Sequence, residues 1–475
     1  MDNGHIRLGS AQGRWVLLTT VLGSGIALLD GTVVNVALPA LGDDLGADMA
    51  GLQWTVNAYT LTLAGLILLG GSLGDRYGRR KVFLIGVVWF AVASALCGLA
   101  PNVETLIAAR ALQGVGGALL TPGSLAIIQA SYVREDRPKA IGAWSGLGGT
   151  AAAIGPLLGG WLVETVGWRW VFLINLPLAA LVVAVALRHA PESRDVEATG
   201  RFDVLGAALA ALALAGITYG LIALQPVPVA AGVLLGVAFV WLEIRRSPDA
   251  LVPVGVFTSK VFTAVNVVTF IMYAAMGVVF FLLVVQLQVS ARFSPVTAGS
   301  AMIPVTILML LLSPRAGELA KRIGPRIPMT AGILICAAAL LLMARIGEGT
   351  SYVVGVLVPT TLFGLGLSTA VAPLTATVLA GTAERYAGVA SGVNNAVART
   401  GGLLAVAAIP PLAGLTGDAF KNPAAFTAGF HTTMLISAAM MAVAALITFL
   451  AIRCNVLADA EPPTGCPVEA PQQGR

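Results

Sequence analysis

The sequence predicts an all-α polytopic membrane protein with fourteen transmembrane helices, arranged as six, an inserted two, and six. Three observations carry that expectation. Hydrophobic residues make up 57% of the 475 and charged residues 11%, with a mean hydropathy of +0.89, more apolar content than a soluble core of this length requires. Apolar runs repeatedly reach the roughly 20 residues that cross a hydrocarbon layer, and they are continuous rather than alternating, which favours helices over a barrel. A glycine-marked basic turn, Gly71-Ser72-Leu73-Gly74-Asp75-Arg76-Tyr77-Gly78-Arg79-Arg80-Lys81, has a degraded copy at Gly317 to Arg326, as expected of a doubled membrane unit.

Glycine, proline and charge punctuate the spans in order. The first, 14–38, begins near Trp15, carries Asp30 and Asn35, and leads into Pro39. It lacks a short apolar stretch followed by a small-residue cleavage site, so it reads as a retained span rather than a signal peptide. A loop with Asp43, Asp44 and Asp48 leads to the second span, 52–72, which runs into the basic turn. The third, 82–100, follows directly; the fourth, 104–131, contains Arg110 and Gln113. The fifth, 139–162, is glycine-rich around Pro156, and the sixth, 168–187, opens on Trp168-Arg169-Trp170. A linker of mixed charge, 188–203, precedes the inserted spans 204–222 and 227–243. Six more follow at 261–288, 297–314, 327–345, 351–377, 386–412 and 428–452. The expected domains are an N-terminal six-helix bundle (1–188), a linker with two inserted helices (189–260), a C-terminal six-helix bundle (261–453) and a cytoplasmic tail (454–475).

Of the 28 Lys and Arg residues, only Arg169, Arg292, Arg345 and Lys421 fall in alternate outer segments or at the span edges that border them, and only Arg110 and Arg399 lie within spans away from their ends. Both termini are therefore expected in the cytoplasm and the chain in the cytoplasmic membrane. The formal charge of +5 then marks topology rather than a nucleic-acid surface. Cys97 and Cys336 sit inside spans, and Cys454 and Cys466 lie near or in the tail, without disulfide or zinc spacing. His5, His189 and His431 are scattered, so no metal is expected. Without a phosphate-binding glycine-lysine loop, neither ATP drive nor any cofactor is expected.

The doubling has a register. An offset of 246 carries Gly71 and Gly78 onto Gly317 and Gly324, and also Gly142, Ser145, Gly146 and Gly155 onto Gly388, Ser391, Gly392 and Gly401. Spans one to six then pair with nine to fourteen. An even number of inserted spans preserves direction, so the two bundles are expected parallel and pseudo-symmetric.

With those residues in place, the chain resembles the major facilitator superfamily, and more narrowly its fourteen-span drug/proton antiporter branch, the multidrug efflux type, over essentially its whole length. Gly71, Leu73, Asp75, Gly78, Arg79 and Arg80 resemble the family's signature between spans two and three; in the second copy Lys321 replaces the aspartate. Leu29-Asp30-Gly31-Thr32-Val33-Val34-Asn35-Val36-Ala37-Leu38-Pro39 resembles the branch's first-span motif, and Ala109-Arg110-Ala111-Leu112-Gln113-Gly114-Val115-Gly116-Gly117 its fourth-span motif. Gly155-Pro156-Leu157-Leu158-Gly159-Gly160 is similar to the antiporter motif, with Ala151 where a further glycine is often found. Trp168 to Pro177 is similar to the stretch opening span six.

Asp30 is expected mid-span, where a carboxylate is costly and tends to face a cavity, a partner or a proton path. It is a candidate protonation site; the alternative is that it caps a helix broken at Gly31-Thr32. Arg110, with Gln113 on its helix face, can offer a donor fork and an amide to one cavity, and the resemblance implies a role in proton coupling. Snorkelling to the interface is its alternative. Glycines at 142, 146, 148, 149, 155, 159 and 160 allow close helix approach and Pro156 bends the axis; beyond tight packing, this predicts a seam that moves between the halves. Asp75 with Arg76, Arg79, Arg80 and Lys81 can latch one conformation or merely fix topology, and Gly78 suits a turn closed to residues with a β-carbon.

Candidate cavity residues are Asn35, Trp54, Asn57, Tyr59 and Gln113 in the first half, and Asn266, Tyr273, Asn394 and Asn395 in the second, where Gln286 and Arg399 are also polar within spans. At the register partner of Asp30 stands Met276, and a single deep carboxylate argues against a dedicated polycation pump. The resemblance implies a secondary active transporter, not an enzyme. It would export small amphiphilic compounds (drugs, antibiotics or related metabolites) in exchange for protons by alternating access. The rival, a proton-coupled facilitator importing a nutrient, predicts several deep charges and no proline-glycine motif in span five. A membrane enzyme or receptor would need clustered catalytic groups or a sizeable soluble domain. Expected partners are a small amphiphilic substrate, protons and the lipid bilayer, with no nucleic acid and a monomer as the working unit.

Overall fold

A computed structural model describes residues 6–194, 203–246, 254–382 and 387–457. His5, Cys466, residues 195–202 of the mixed-charge linker and residues 458–475 of the tail lie outside these. The described chain is a set of long helices: α1 (Ala11–Leu45), α2 (Met49–Tyr77), α3 (Arg79–Gly98), α4 (Val103–Ser131), α5 (Arg137–Thr165), α6 (Trp170–Leu173), α7 (Asn175–His189), α8 (Val204–Ile222), α9 (Pro226–Arg246), α10 (Lys260–Val289), α11 (Pro295–Ser300), α12 (Ile303–Ile323), α13 (Arg326–Met343), α14 (Val358–Ala380), α15 (Ala387–Leu412) and α16 (Pro423–Ala451). Short loops end in side-chain caps. Ser10, Asp48 and Asn102 accept hydrogen bonds from the backbone N–H groups of Gly13, Gly51 and Thr105, satisfying donors that the first helical turn leaves open.

Among the described residues, twelve helices are long and apolar enough to cross a membrane, and a thirteenth counts if Met49–Ile67 and Leu69–Tyr77, bent by 50°, form one span. The predicted fourteen is not reached by that measure. The shortfall falls at 386–412, where α15 stands but Asn395, Arg399 and the pair Pro410-Pro411 lower its hydropathy. The α2 bend comes just before Gly70-Gly71, and Gly70 lets α4 approach so closely that a Cβ there would lie 2.1 Å from the Ala118 carbonyl oxygen.

Helix pairing repeats between the halves. In the first, α4 packs on α2 and α3, and α1 on α5 and α7; in the second, α14 packs on α12 and α13, and α10 on α15 and α16. The inserted helices α8 and α9 form a hairpin whose crossing is built on glycine: a Cβ on Gly232 would stand 2.6 Å from the Ile217 nitrogen. Through α8 the hairpin rests on α2 and α15, while α9 stays largely exposed, as a lipid-facing helix should.

The two halves meet at the end opposite the Gly78 and Gly324 turns. There Met49 N donates to Gly417 O at 2.8 Å, Gln53 Nε2 to Val406 O at 2.6 Å, and Gln288 Nε2 to Val36 O at 3.0 Å. Gly160 and Gly299 press on the backbones of Pro295 and Pro156. Toward the turn end the contacts lapse: a Cβ on Gly142, Gly146 or Gly149 would meet nothing within 4 Å. The central space therefore opens toward the turns.

Candidate functional site

Asp30 stands within α1, which runs unbroken through Gly31 and Thr32, so it caps no broken helix. Arg110 does not snorkel; its side chain is 1% exposed and that of Asp30 0%. Arg110 Nη1 donates to Asp30 Oδ2 at 2.5 Å and to Gln113 Oε1 at 2.6 Å, while its Nε donates to the Thr55 carbonyl oxygen at 2.9 Å. Gln113 Nε2 donates to Asp30 Oδ1 at 2.8 Å and to Ser94 Oγ at 2.6 Å. Asn175 Nδ2, at the start of α7, donates to the same Asp30 oxygen and to Ser94 Oγ, both at 3.0 Å. The guanidinium also lies 4.4 Å from the centre of the Tyr59 ring and 5.7 Å from that of Phe172.

This is a buried, nearly saturated polar cluster assembled from α1, α2, α3, α4 and α7. Desolvating two ions costs several kcal/mol each, and a buried pair persists only where further hydrogen bonds satisfy its remaining valences. Here Gln113 and Asn175 bond Asp30, and Ser94 accepts from both amides and holds them in place. Asn175 lies in the Trp168 to Pro177 stretch that marked span six, whereas Ser94, a small polar residue in a helix, carries no sequence signal.

One cavity adjoins the cluster through Arg110 and a second lies beside the first; both are lined by Thr32, Asn35 and Ala152. The smaller, about 360 Å³, has Tyr59, Arg110 and Trp144 on its first-half wall and Asn395 and Arg399 on its second-half wall. The larger, about 700 Å³, is mainly apolar and runs between Met276, Phe280 and Met309 on one side and Gly142, Gly146 and Pro156 on the other. Asn35, whose Oδ1 is buried without a partner, Tyr59 and Asn395 thus reach a cavity.

The other candidate cavity residues line neither space, because helix rotation turns them elsewhere. Trp54 packs on Tyr219 of the inserted hairpin, with ring centres 6.2 Å apart. Asn57 is buried, and Gln113 is spent on Asp30. Asn394 donates to Asn266 Oδ1 and Thr269 Oγ1, binding α15 to α10, and Tyr273 packs against the large core. Arg399, read only as one of several polar residues in spans, is a cavity wall.

At the basic turn, Asp75 at the end of α2 pairs with Arg79 at the start of α3, across Gly78, at 2.8 Å. Gly78 has φ +111°, and Glu192, unnoticed in the sequence, caps α3 by accepting from the backbone N–H groups of Arg80 and Lys81. Arg80 Nη1 donates to the Ala190 carbonyl oxygen at 2.9 Å. In the second copy, Gly324 has φ +85° and Glu318 pairs with Arg322. Within the antiporter-like motif, Gly155 and Gly159 fit against Thr32 and Val33 of α1, while Pro156 and Gly160 meet α11; it joins helices within the first half as well as across the halves. At the closed end, Asp44 accepts from Trp168 Nε1 at 2.9 Å and Arg169 Nη1 at 2.7 Å, and these bonds hold its carboxyl below the usual carboxylate range. Cys97 and Cys336 are buried free thiols and Cys454 an exposed one, and no group of metal-ligating side chains occurs among the described residues.

Residues 20–406 match the Major Facilitator Superfamily. The chain is 34% identical over 434 residues to the tetracenomycin C resistance and export protein of Streptomyces glaucescens, covering 88% of this chain and 80% of that protein. It is 31% identical over 452 residues to the methylenomycin A resistance protein of Bacillus subtilis (strain 168), covering 93% and 95%. Its fold is similar to that of a POT family transporter solved in complex with 5-aminolevulinic acid, with a TM-score of 0.72, 14% identity and 93% of this chain and 97% of that chain covered.

Proposed function

The chain belongs to the Major Facilitator Superfamily, and from that premise we propose that it exports small amphiphilic compounds of the antibiotic class in exchange for inward-moving protons. The names of its relatives, resistance and export proteins for antibiotics, support the direction and the cargo. The observation that carries the coupling is that Arg110 belongs at once to the Asp30 cluster and to the cavity wall.

Ionised, Asp30 is an acceptor that answers three donors: Arg110, Gln113 and Asn175. A proton on Asp30 removes its charge and at least one acceptor site, which frees the Arg110 guanidinium to reorganise toward the cavity. Proton and cargo thereby act on one arginine, and each biases the packing of α1 and α4 on their neighbours. With the basic turns facing the cytoplasm, the opening described above faces inward. Export then requires the seam at Gly160 and Gly299 to part while the turn end closes, a rocking of the two bundles about the central site. One chain holds the whole pathway, so a monomer in the cytoplasmic membrane suffices. Each proton moving down 100 mV supplies about 2.3 kcal/mol, plus the pH term.

Reconstituted vesicles with an imposed pH gradient test this. A panel of amphiphilic dyes, anionic, neutral and cationic, is followed by fluorescence with and without the gradient. At least one dye is expected to move against its own gradient only when protons flow the other way, and Asn at position 30 is expected to abolish the dependence on pH. Gradient-independent movement, or unchanged coupling in Asp30→Asn, would overturn the reading.

A further inference from the structure

The small cavity is a wall of cations without an exposed anion. Its charged lining residues are Arg110 and Arg399, and no Asp or Glu lines either cavity. Asp30 cannot serve a cationic ligand, because it is fully buried behind Arg110. Arg399 differs from Arg110 in one respect that matters. Among the described residues it makes one hydrogen bond, Nε to Asn395 Oδ1 at 3.0 Å, and no ion pair, so both terminal nitrogens remain for something else.

A guanidinium at the depth of a membrane span is costly and persists where it lines a water-filled cavity or meets an anion. Its planar fork suits an oxyanion, which it can bind with two parallel hydrogen bonds. Beside it, the larger cavity offers an apolar bed of Met276, Phe280, Met302 and Met309, and thioether side chains adapt to varied shapes. We propose that Arg399 is the anion-recognising residue of the transport cavity, and that the preferred cargo is an amphiphile with an acidic oxyanion group on a bulky apolar body. The assignment rests on the reading of these cavities as the cargo site. It makes Arg399 and Asn395 the second half's polar contribution to binding, and leaves proton exchange to the first half.

The test is binding to the full chain in nanodiscs, with empty nanodiscs subtracted. Anilinonaphthalene sulfonate supplies the anion, phenylnaphthylamine the same ring frame without the sulfonate, and ethidium a cation. The wild type is expected to bind the sulfonate about tenfold or more tighter than the neutral compound, the scale of a charged hydrogen-bonded contact. Arg399→Gln is expected to erase that preference while leaving phenylnaphthylamine binding unchanged, which also reports an intact fold; Arg399→Lys is expected to keep part of it. The proposal fails if the wild type shows no preference for the sulfonate, prefers ethidium, or keeps the preference in Arg399→Gln. Equal loss of both naphthalene probes in Arg399→Gln and Arg399→Lys also counts against it, as a packing role. Gradient-driven transport of ethidium or the neutral dye alongside any of these results would sink the anion assignment and leave proton-coupled export standing.

Discussion

Gly160 of α5 and Pro295 at the head of α11 lie so close that a Cβ on Gly160 would stand 2.5 Å from the Pro295 carbonyl oxygen. The reciprocal contact is tighter still, with a Cβ on Gly299 reaching within 2.1 Å of the Pro156 carbonyl oxygen. Backbone against backbone leaves no side chain to swing aside, so a larger residue must part the seam. Overpacking of this kind costs about 1–3 kcal/mol, roughly a 5- to 150-fold shift in a two-state equilibrium. In Gly160→Leu the state open at the opposite end is therefore expected to gain population. A cysteine at position 35, in a background lacking the other thiols, should react with a membrane-impermeant maleimide from that end about tenfold faster than without the Gly160 change. An unchanged rate would mean that this seam does not gate the cavity.

The Asp30–Arg110 pair predicts strong non-additivity. Arg110→Ala leaves a buried carboxylate facing only amides, a situation that costs about 3–5 kcal/mol, whereas Asp30→Asn combined with Arg110→Ala removes both charges. The double variant is expected to unfold at a higher temperature than Arg110→Ala alone, measured in detergent by tryptophan fluorescence. Simple addition of the two single effects would show that the pair is not energetically coupled.

The sequence marked these two residues and could not join them. A charge inside an apolar run is conspicuous by composition, so Asp30, Arg110 and the placement of the helices were legible. Which face of α1 meets which face of α4 depends on helix rotation and packing, which a glycine-rich, nearly uniform apolar pattern does not encode. The same ambiguity turned Trp54 toward the inserted hairpin and Asn394 toward α10, while bringing Asn395 and Arg399 to the cavity. Ser94 and Glu192 were silent for different reasons: one is a common helix residue, and the other acts from a segment whose path no local pattern fixes.

Gly78 and Gly324 occupy matching turns, yet they should respond unequally to alanine. Both have positive φ, at +111° and +85°, so both variants carry backbone strain of about 1 kcal/mol or more. At Gly78 the added Cβ meets the Glu192 carboxylate at 2.8 Å, the mobile end of a side chain. At Gly324 it meets the Cys454 backbone oxygen at 2.2 Å, which can move only if the segment after α16 moves. Gly324→Ala is expected to lower the unfolding temperature more than Gly78→Ala; equal shifts would show that the strained φ, and not the neighbour, sets the cost.

Asp44 supplies a pH signature away from the transport path. Its carboxyl is held below 3.8 by the Trp168 indole N–H first and by Arg169 second. A folded-state value below the unfolded one gives stability that is fully present above the unfolded value and fades as pH falls through the folded one. The side chain is 47% exposed and its partner 42%, so solvent screens the ion pair and the effect is small. Wild type and Asp44→Asn should therefore differ in unfolding temperature by a constant amount from pH 7 to about 5, and converge only in the region below the ordinary carboxylate value. Trp168→Phe removes the larger cause, so in that background the difference should be smaller and its convergence, which starts at the same unfolded value, should be complete at higher pH. A difference between wild type and Asp44→Asn that grows on acidification would have the wrong sign and would rule out this account of the Asp44 contact.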